Sequence, residues 1–295
     1  MKQKSLIPNI DFEPKTLPEL GLEVINLENL YKTASEDKLL LLNTPHRIKF
    51  YGIIIFTGGE GNHFIDFRSF PVEKNTCVMI NQNQVHAFDT ENRPSAQFIL
   101  FTENFLKLIT KVIDNRIIAP TQFLSLYQPS FKLTVSQTHR LLILIDLIKA
   151  EYVSPDLNMP CLQLLFSALL TRICEERPDT YLTDLNTNQI ACFERFIYCL
   201  ETNIAFSHDA NAYANRVGTS YKTLNKICKL ATQQTAKQLI DAYIILNAKR
   251  ALSIDKLQVQ QVSDILGFDE VTNFVKFFKK HTLMTPKLFQ SQHFK

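Results

Sequence analysis

Glycine is scarce in this chain. Seven glycines serve 295 residues, and only Gly218 and Gly267 occur after Gly61. So few leave no room for a nucleotide cradle of the Walker type, and no nucleophile elbow appears. The six cysteines, Cys77, Cys161, Cys174, Cys192, Cys199 and Cys228, never form a CxxC pair. They read as small buried hydrophobes in a reducing compartment. Cys192 and Cys199, seven apart on one helix face, are the one pair for which redox sensing arises as an alternative. Apolar runs of membrane-spanning length are missing too, because the densest stretches break at charges such as Asp146 and Arg172. The opening Met-Lys-Gln-Lys-Ser-Leu-Ile-Pro has no apolar core of a signal peptide. These absences lead to the expectation of a soluble cytoplasmic protein with no membrane partner.

What is present begins with size and charge. At 295 residues and 45% apolar composition, two domains with real cores are the natural expectation. The net charge of +3 conceals an asymmetry: residues 208–295 carry 13 Lys/Arg against 6 Asp/Glu, whereas residues 1–207 carry 19 against 23. A basic C-terminal third is the footprint of polyanion binding.

Periodicity divides the chain. Pro8, Pro14 and Pro18 discourage a long helix in residues 1–45. From Ile48 to Phe101 the pattern is that of short strands: 49–56, a Gly-rich turn at 58–61, 63–68, 77–80 and 96–101, suggesting a small antiparallel barrel or sandwich. From Ser136 the period becomes helical, with helices at 137–152 and 160–175 separated by Ser154-Pro-Asp-Leu-Asn-Met-Pro160. The expected division is 1–176 for a sensor and dimerisation domain, 177–188 for a linker and 189–295 for an all-helical domain. The fold class is α+β in two domains: a β-barrel with flanking helices, then tandem helix-turn-helix motifs.

The two late glycines mark one motif twice. Ala210–Val217, a turn at Gly218 and Tyr221–Leu230 make the first copy; Val259–Leu266, a turn at Gly267 and Val271–His281 make the second. Beyond the turns the copies align at an offset of 50, with Leu224 on Phe274, Lys226 on Lys276 and Lys229 on Lys279. In each, an apolar stripe (Leu224, Ile227 and Leu230; Phe274, Phe277 and Phe278) opposes an outer face of Thr, Asn and Lys. Amides and ammonium groups reach base edges, and lysines neutralise phosphates. The 235–252 helix between the copies spans about 27 Å. With its turns it suits two recognition helices about one DNA turn apart, about 34 Å.

Residues from about 190 to 293 resemble the AraC/XylS family of bacterial transcription regulators. The resemblance is carried by Val262-Ser-Asp-Ile-Leu-Gly-Phe268, Phe274-Val-Lys-Phe-Phe-Lys-Lys280, Met284-Thr-Pro286 and, on the linking helix, Ala248-Lys-Arg-Ala-Leu252. It implies base contacts at Lys222, Asn225, Lys226, Thr272, Asn273 and Lys276, and phosphate contacts at Lys229, Lys279 and Lys280. There are departures. Lys226 and Lys276 stand where the family often has arginine, and lysine lacks the bidentate fork for guanine. Thr223 and Asn273 replace a usual tyrosine, and Ser263 a usual alanine. The implied partner is double-stranded promoter DNA, with RNA polymerase and a small-molecule effector as further ones, and activation as the usual direction.

The family commonly joins this module to a cupin-like sensor barrel. Phe50–Gly61 resembles the strand and Gly-rich turn of such barrels, and Asn81–His86 resembles their "N-P-x-x-V-H" segment with Gln82 in place of proline. His46, Tyr51, Arg68 and His86 are the candidate effector-binding residues. His46, His63 and His86 also raise a metal site, but the chain lacks an H-x-H pair and a matching downstream carboxylate, so neither metal nor cofactor is expected. The surplus of Leu and Ile on the 137–152 and 160–175 helices suggests a homodimer.

The competing reading is a cupin-type metal-dependent enzyme with an accessory helical domain; no catalytic residue stands out to support it. A DNA-repair methyltransferase would need a nucleophilic Pro-Cys-His-type site, and the one Pro160-Cys161 pair is followed by Leu162.

Overall fold

The computed structural model of the protein describes residues 9–10, 20–109, 129–176, 185–202, 205 and 207–292. The prolines at 8, 14 and 18, and 177–184 of the expected linker, lie outside them. The described residues gather into two compact units, within Asn9–Thr180 and Tyr181–Lys295.

The first unit opens with β1 (Asn9–Ile10), β2 (Leu22–Asn26), α1 (Leu27–Thr33) and α2 (Glu36–Asn43). Strands β3 (His46–Ile48), β4 (Tyr51–Gly58), β5 (Glu60–Ile65), β6 (Arg68–Glu73), β7 (Thr76–Ile80), β8 (Val85–Ala87) and β9 (Ser95–Phe101) follow. Then come α3 (Glu103–Ile109), β10 (Ser130–Lys132), α4 (Val135–Tyr152) and α5 (Met159–Glu176). The strands pair as two five-stranded sheets, ordered β1-β3-β8-β5-β6 and β10-β7-β4-β9-β2. Ile48, Ile65, Phe70 and Val72 of the first, with Phe88 just after β8, meet Ile54, Phe56, Val78, Ile80 and Phe98 of the second in one core. The second sheet is buried on both faces, because Tyr51, Ile53, Ile55, Met79, Ile99 and Phe101 pack under α3, α4 and α5. Leu141, Ile145 and Ile148 of α4, with Leu162, Phe166 and Leu169 of α5, supply the helical side of that layer.

One expected strand, 63–68, is two strands joined by a turn. The chain reverses at Asp66 and Phe67, both at positive φ (42° and 70°), the backbone of a tight hairpin turn whose twist matches the flanking strands. The Asp66 carboxylate stabilises it by accepting from the Val85 backbone N–H and the Gln84 amide.

The second unit is helical: α6 (Thr187–Thr202), α7 (Ala210–Arg216), α8 (Tyr221–Thr232), α9 (Ala236–Ser253), α10 (Val259–Ile265), α11 (Val271–Thr282) and α12 (Pro286–Gln292). The last residues of the expected linker belong here. Leu185 is buried, and Asn186 and Gln189 exchange side-chain and backbone hydrogen bonds that cap α6. Asp209 caps α7, Ser220 caps α8, and Thr235 and Gln238 form a reciprocal capping box on α9. Each cap occupies backbone N–H groups that a helix start leaves unpaired.

Candidate nucleic-acid interface and ligand cavity

Both expected helix-turn-helix motifs form, α7–α8 and α10–α11, each turning on a glycine at positive φ (Gly218 73°, Gly267 75°). The apolar face of α8 buries Leu224, Ile227, Cys228 and Ala231, whereas Leu230 is only half-buried. Phe274 and Phe278 anchor α11 with no exposed surface. Fixing each helix by large side chains of this kind contributes about 1.5–3 kcal/mol per residue, which leaves the opposite faces free to present polar groups.

Those faces are basic. Lys222, Lys226 and Lys229 follow one another at i, i+4 and i+7 on α8, all exposed. On α11, Thr272, Asn273, Lys276, Lys279 and Lys280 are exposed likewise. Among the described residues none of these lysines is in an ion pair; Lys237 of the same unit, by contrast, lies 2.6 Å from Asp241. An array of unneutralised ammonium groups on two anchored helices is suited to a polyanion.

The repeat extends further than residues 224–229. Gln233 and Leu283 both close their helices in the left-handed conformation (φ 60° and 62°). Thr232 and Thr282 donate to the carbonyls of Cys228 and Phe278, and Thr235 and Thr285 cap the helices that follow. One pair of positions differs. The Asn225 side-chain oxygen accepts from the Ala236 backbone N–H at 3.2 Å. Fifty residues on, Val275 and Pro286 stand in their places, and proline has no N–H to satisfy. Asn225, half-buried, is thus first a structural residue at the start of α9, a role that comparing the two copies could have revealed.

In the first unit the four candidate effector residues do not converge. His46 and His86 face each other across β3 and β8 and join His63 inside the core, with ring centroids 4.4 Å and 5.3 Å from His86. Phe88 and Phe98 pack against the His86 ring, and Phe56 and Phe88 against His63. Burial, and then repulsion from His46, brings the His63 pKa down to about 3, and the same causes hold His86 well below its ordinary value. All three histidines are core residues, each only 1% exposed. Among the described residues no group of three or more His, Cys, Asp or Glu is arranged to hold a metal ion. Tyr51 is a correction to the expected pocket: it lies on the other face of β4, stacked on Phe101 under the helices. Arg68 is exposed at the start of β6, its guanidinium 5.1 Å from the Phe70 ring.

A cleft opens elsewhere, where the edge strands β6 and β10 of the two sheets leave a gap. It measures about 670 Å³, with Phe70, Val72 and Phe131 as apolar surface and Glu60, Asn62, Glu73, Thr76, Asn92 and Lys132 as polar groups. Lys132 lies 2.6 Å from Glu73. A smaller hollow of about 350 Å³ shares Asn62 and Asn92 with it. None of His46, Tyr51, Arg68 and His86 lines either.

Comparison with known proteins gives this geometry its class. The AraC-like ligand-binding domain matches residues 42–154, and a helix-turn-helix domain matches residues 213–292. The chain therefore belongs to the AraC family: it is a DNA-binding transcription regulator with an N-terminal domain of the ligand-binding type. Neither model is that of an enzyme. Similar curated proteins include the HTH-type transcriptional activator RhaR of Salmonella dublin, 21% identical over 244 residues, covering 82% of this chain and 84% of the relative. RhaR of Escherichia coli O139:H28 is 21% identical over 246 residues with the same coverage. Among solved structures, ToxT from Vibrio cholerae O395 covers 83% of this chain and 90% of its own at 12% identity and a TM-score of 0.43. An unsaturated-fatty-acid-bound ToxT from strain SCE256 covers 83% and 87% at 14% identity and a TM-score of 0.41.

Proposed function

We propose that the protein reads promoter DNA with α8 and α11 in successive major grooves. Lys222, Lys226, Thr272, Asn273 and Lys276 contact bases, and Lys229, Lys279 and Lys280 contact phosphates. Asn225 supports the helix more than it reads, since its side-chain oxygen is already engaged. The observation that carries this reading is the set of exposed, unpaired lysines on the outer faces of two anchored, glycine-led helices. The direction of regulation is activation, as in the relatives that carry the name activator. RNA polymerase is then the further partner.

The first unit binds a small-molecule effector, and the β6–β10 cleft is the place for it, being larger than the neighbouring hollow and mixed in polarity. The protein acts as a cytoplasmic homodimer. Exposed Val135, Ile143 and Leu147 on α4 and Leu164 on α5 supply an apolar surface for a second copy, and no helix among the described residues is long and apolar enough to cross a membrane. It acts as a regulator and not as an enzyme, in keeping with the two regulator domains it matches.

The test is sequencing of genomic DNA captured by the purified protein, beside a Lys226→Ala/Lys276→Ala variant. An enriched motif of two half-elements about one turn apart, lost in the variant, is the expected result. Capture without enrichment, or capture unaffected by the variant, would reject α8 and α11 as readers. Light scattering of the protein, with Ile143→Glu as control, tests the dimer.

A further inference from the structure

The chain entering the first motif reaches across to the second. Ala205 sits so close to the second turn that a Cβ on Gly267 would lie 2.6 Å from the Ala205 carbonyl oxygen and 3.0 Å from its Cα. Three residues on, His208 Nε2 lies 2.8 Å from the carbonyl of Leu266. A carbonyl only accepts, so Nε2 carries the hydrogen and donates, occupying a carbonyl at the open end of α10. The same ring packs on Phe268 at 4.3 Å between centroids and lies nearly parallel to Phe277 of α11 at 6.4 Å.

The His208 backbone carbonyl closes the circuit. It accepts from Lys237 Nζ at 3.0 Å, and Lys237, in the first turn of α9, also donates to Asp241 at 2.6 Å. Asp241 lies 3.8 Å from His281 Nε2, and the His281 ring packs on Phe277 at 4.6 Å. The segment before α7, the start of α9, the turn of the second motif and α11 thus touch in a closed ring.

We infer that Ala205 and His208, with Lys237, Asp241 and His281, form a clamp that fixes the angle and separation of α8 and α11, and so sets the half-element spacing the protein accepts. The inference rests on the reading of these two helices as DNA readers. Helix α9 fixes the distance along its own axis, and each motif joins it through a short turn, so what must be held is rotation about those turns. Contacts at several points off that axis remove the rotation. One added base pair moves a half-element by about 3.4 Å and, at 10–10.5 base pairs per turn, rotates it by about 35°. A clamped pair of helices cannot follow that displacement, whereas an unclamped pair can. His208 is a positioning residue here, since it acts through the two helices and not on DNA.

The experiment uses the full-length protein and duplexes that the wild type selects from a random-sequence library. These are resynthesised with one base pair added or removed between the half-elements. The wild type is expected to lose about tenfold or more on either change, the scale of a lost specific contact. His208→Ala should bind the original duplex a few-fold more weakly, yet discriminate much less among spacings. His208→Gln, whose amide can donate to the Leu266 carbonyl, should recover part of the discrimination. Equal weakening on every spacing would mean a general loss of structure, and an unchanged spacing profile would mean no clamp; either overturns the inference while leaving the DNA reading intact. A wild type that selects no paired half-elements overturns the DNA reading itself, and the clamp with it.

Discussion

The two helix-turn-helix motifs share a local design and differ in surroundings. Both turn on a left-handed glycine, both close the second helix with a left-handed residue, and both place lysine at equivalent points, Lys226 and Lys276. Yet Gly218 has nothing within 4 Å of where a Cβ would stand, whereas Gly267 is pressed against the backbone of Ala205. The first motif needs glycine only for its φ. The second needs it for φ and for space. A repeated sequence therefore encodes a repeated local structure, while what each copy touches is written in residues outside the repeat.

The sharpest way to break this comparison is alanine at each glycine. Gly218→Ala should cost about 1–2 kcal/mol, the penalty of a side chain in the left-handed region. Gly267→Ala carries the same penalty and must also displace backbone, adding about 1–3 kcal/mol of overpacking. In thermal melts of the full chain the second variant should lose clearly more, at about 4–8 °C per kcal/mol for a unit of this size. Equal shifts would show that the contact with Ala205 yields without cost.

Next in size are the lysines. Lys226→Ala and Lys276→Ala should each weaken binding to a selected duplex by about 1–3 kcal/mol if each contacts a base, and weaken binding to random duplex far less. Fluorescence anisotropy on both duplexes measures this. Loss in only one variant would mean that one motif reads sequence while the other merely holds on. Equal loss on selected and random DNA would move that lysine to the phosphate backbone.

Asn225 and Ala236 offer a smaller and more exact test. Asn225→Val copies the second motif at one position and leaves the buried Ala236 N–H without its acceptor, a cost of about 1 kcal/mol. Adding Ala236→Pro copies the second position as well, removes that N–H and places proline at a first-turn site it favours. The double variant should regain most of the lost melting temperature. Failure to recover would mean that Asn225 does something beyond holding α9, such as touching DNA.

How much of this was legible follows from where the determinants lie. The second unit was read nearly to the residue, α8 at 221–232 against an expected 221–230 and α10 at 259–265 against 259–266, because glycine turns, caps and helical periodicity are local signals. In the first unit β4 was visible but its facing was not. Tyr51, Ile53 and Ile55 point one way, and Gly52, Ile54 and Phe56 the other, but both faces are covered, so alternation leaves no polar side to mark the outside. Tyr51 was therefore expected in the pocket and sits under the helices. Short strands such as β8 and β10 owe their existence to distant partners, and the cleft between β6 and β10 could not be foreseen without them. The His208 contact joins residues 58 apart and has no signature at all.

The smallest effect separates two roles for the basic end of α11. Lys279, Lys280 and His281 crowd its last turn, where positive charge also favours the helix dipole by about 0.3–1 kcal/mol; Lys229 alone holds the matching position on α8. A phosphate contact releases counterions, so each lysine removed should flatten the dependence of log affinity on log salt by about 0.9. Lys229→Gln should therefore lower the slope by about one such step, and Lys279→Gln/Lys280→Gln by about two. A dipole role leaves the slope unchanged and lowers the melting temperature by about 1–8 °C per lysine at low salt. If the slopes fall equally, only one of the two α11 lysines reaches a phosphate, and the motifs are more alike on DNA than their sequences are.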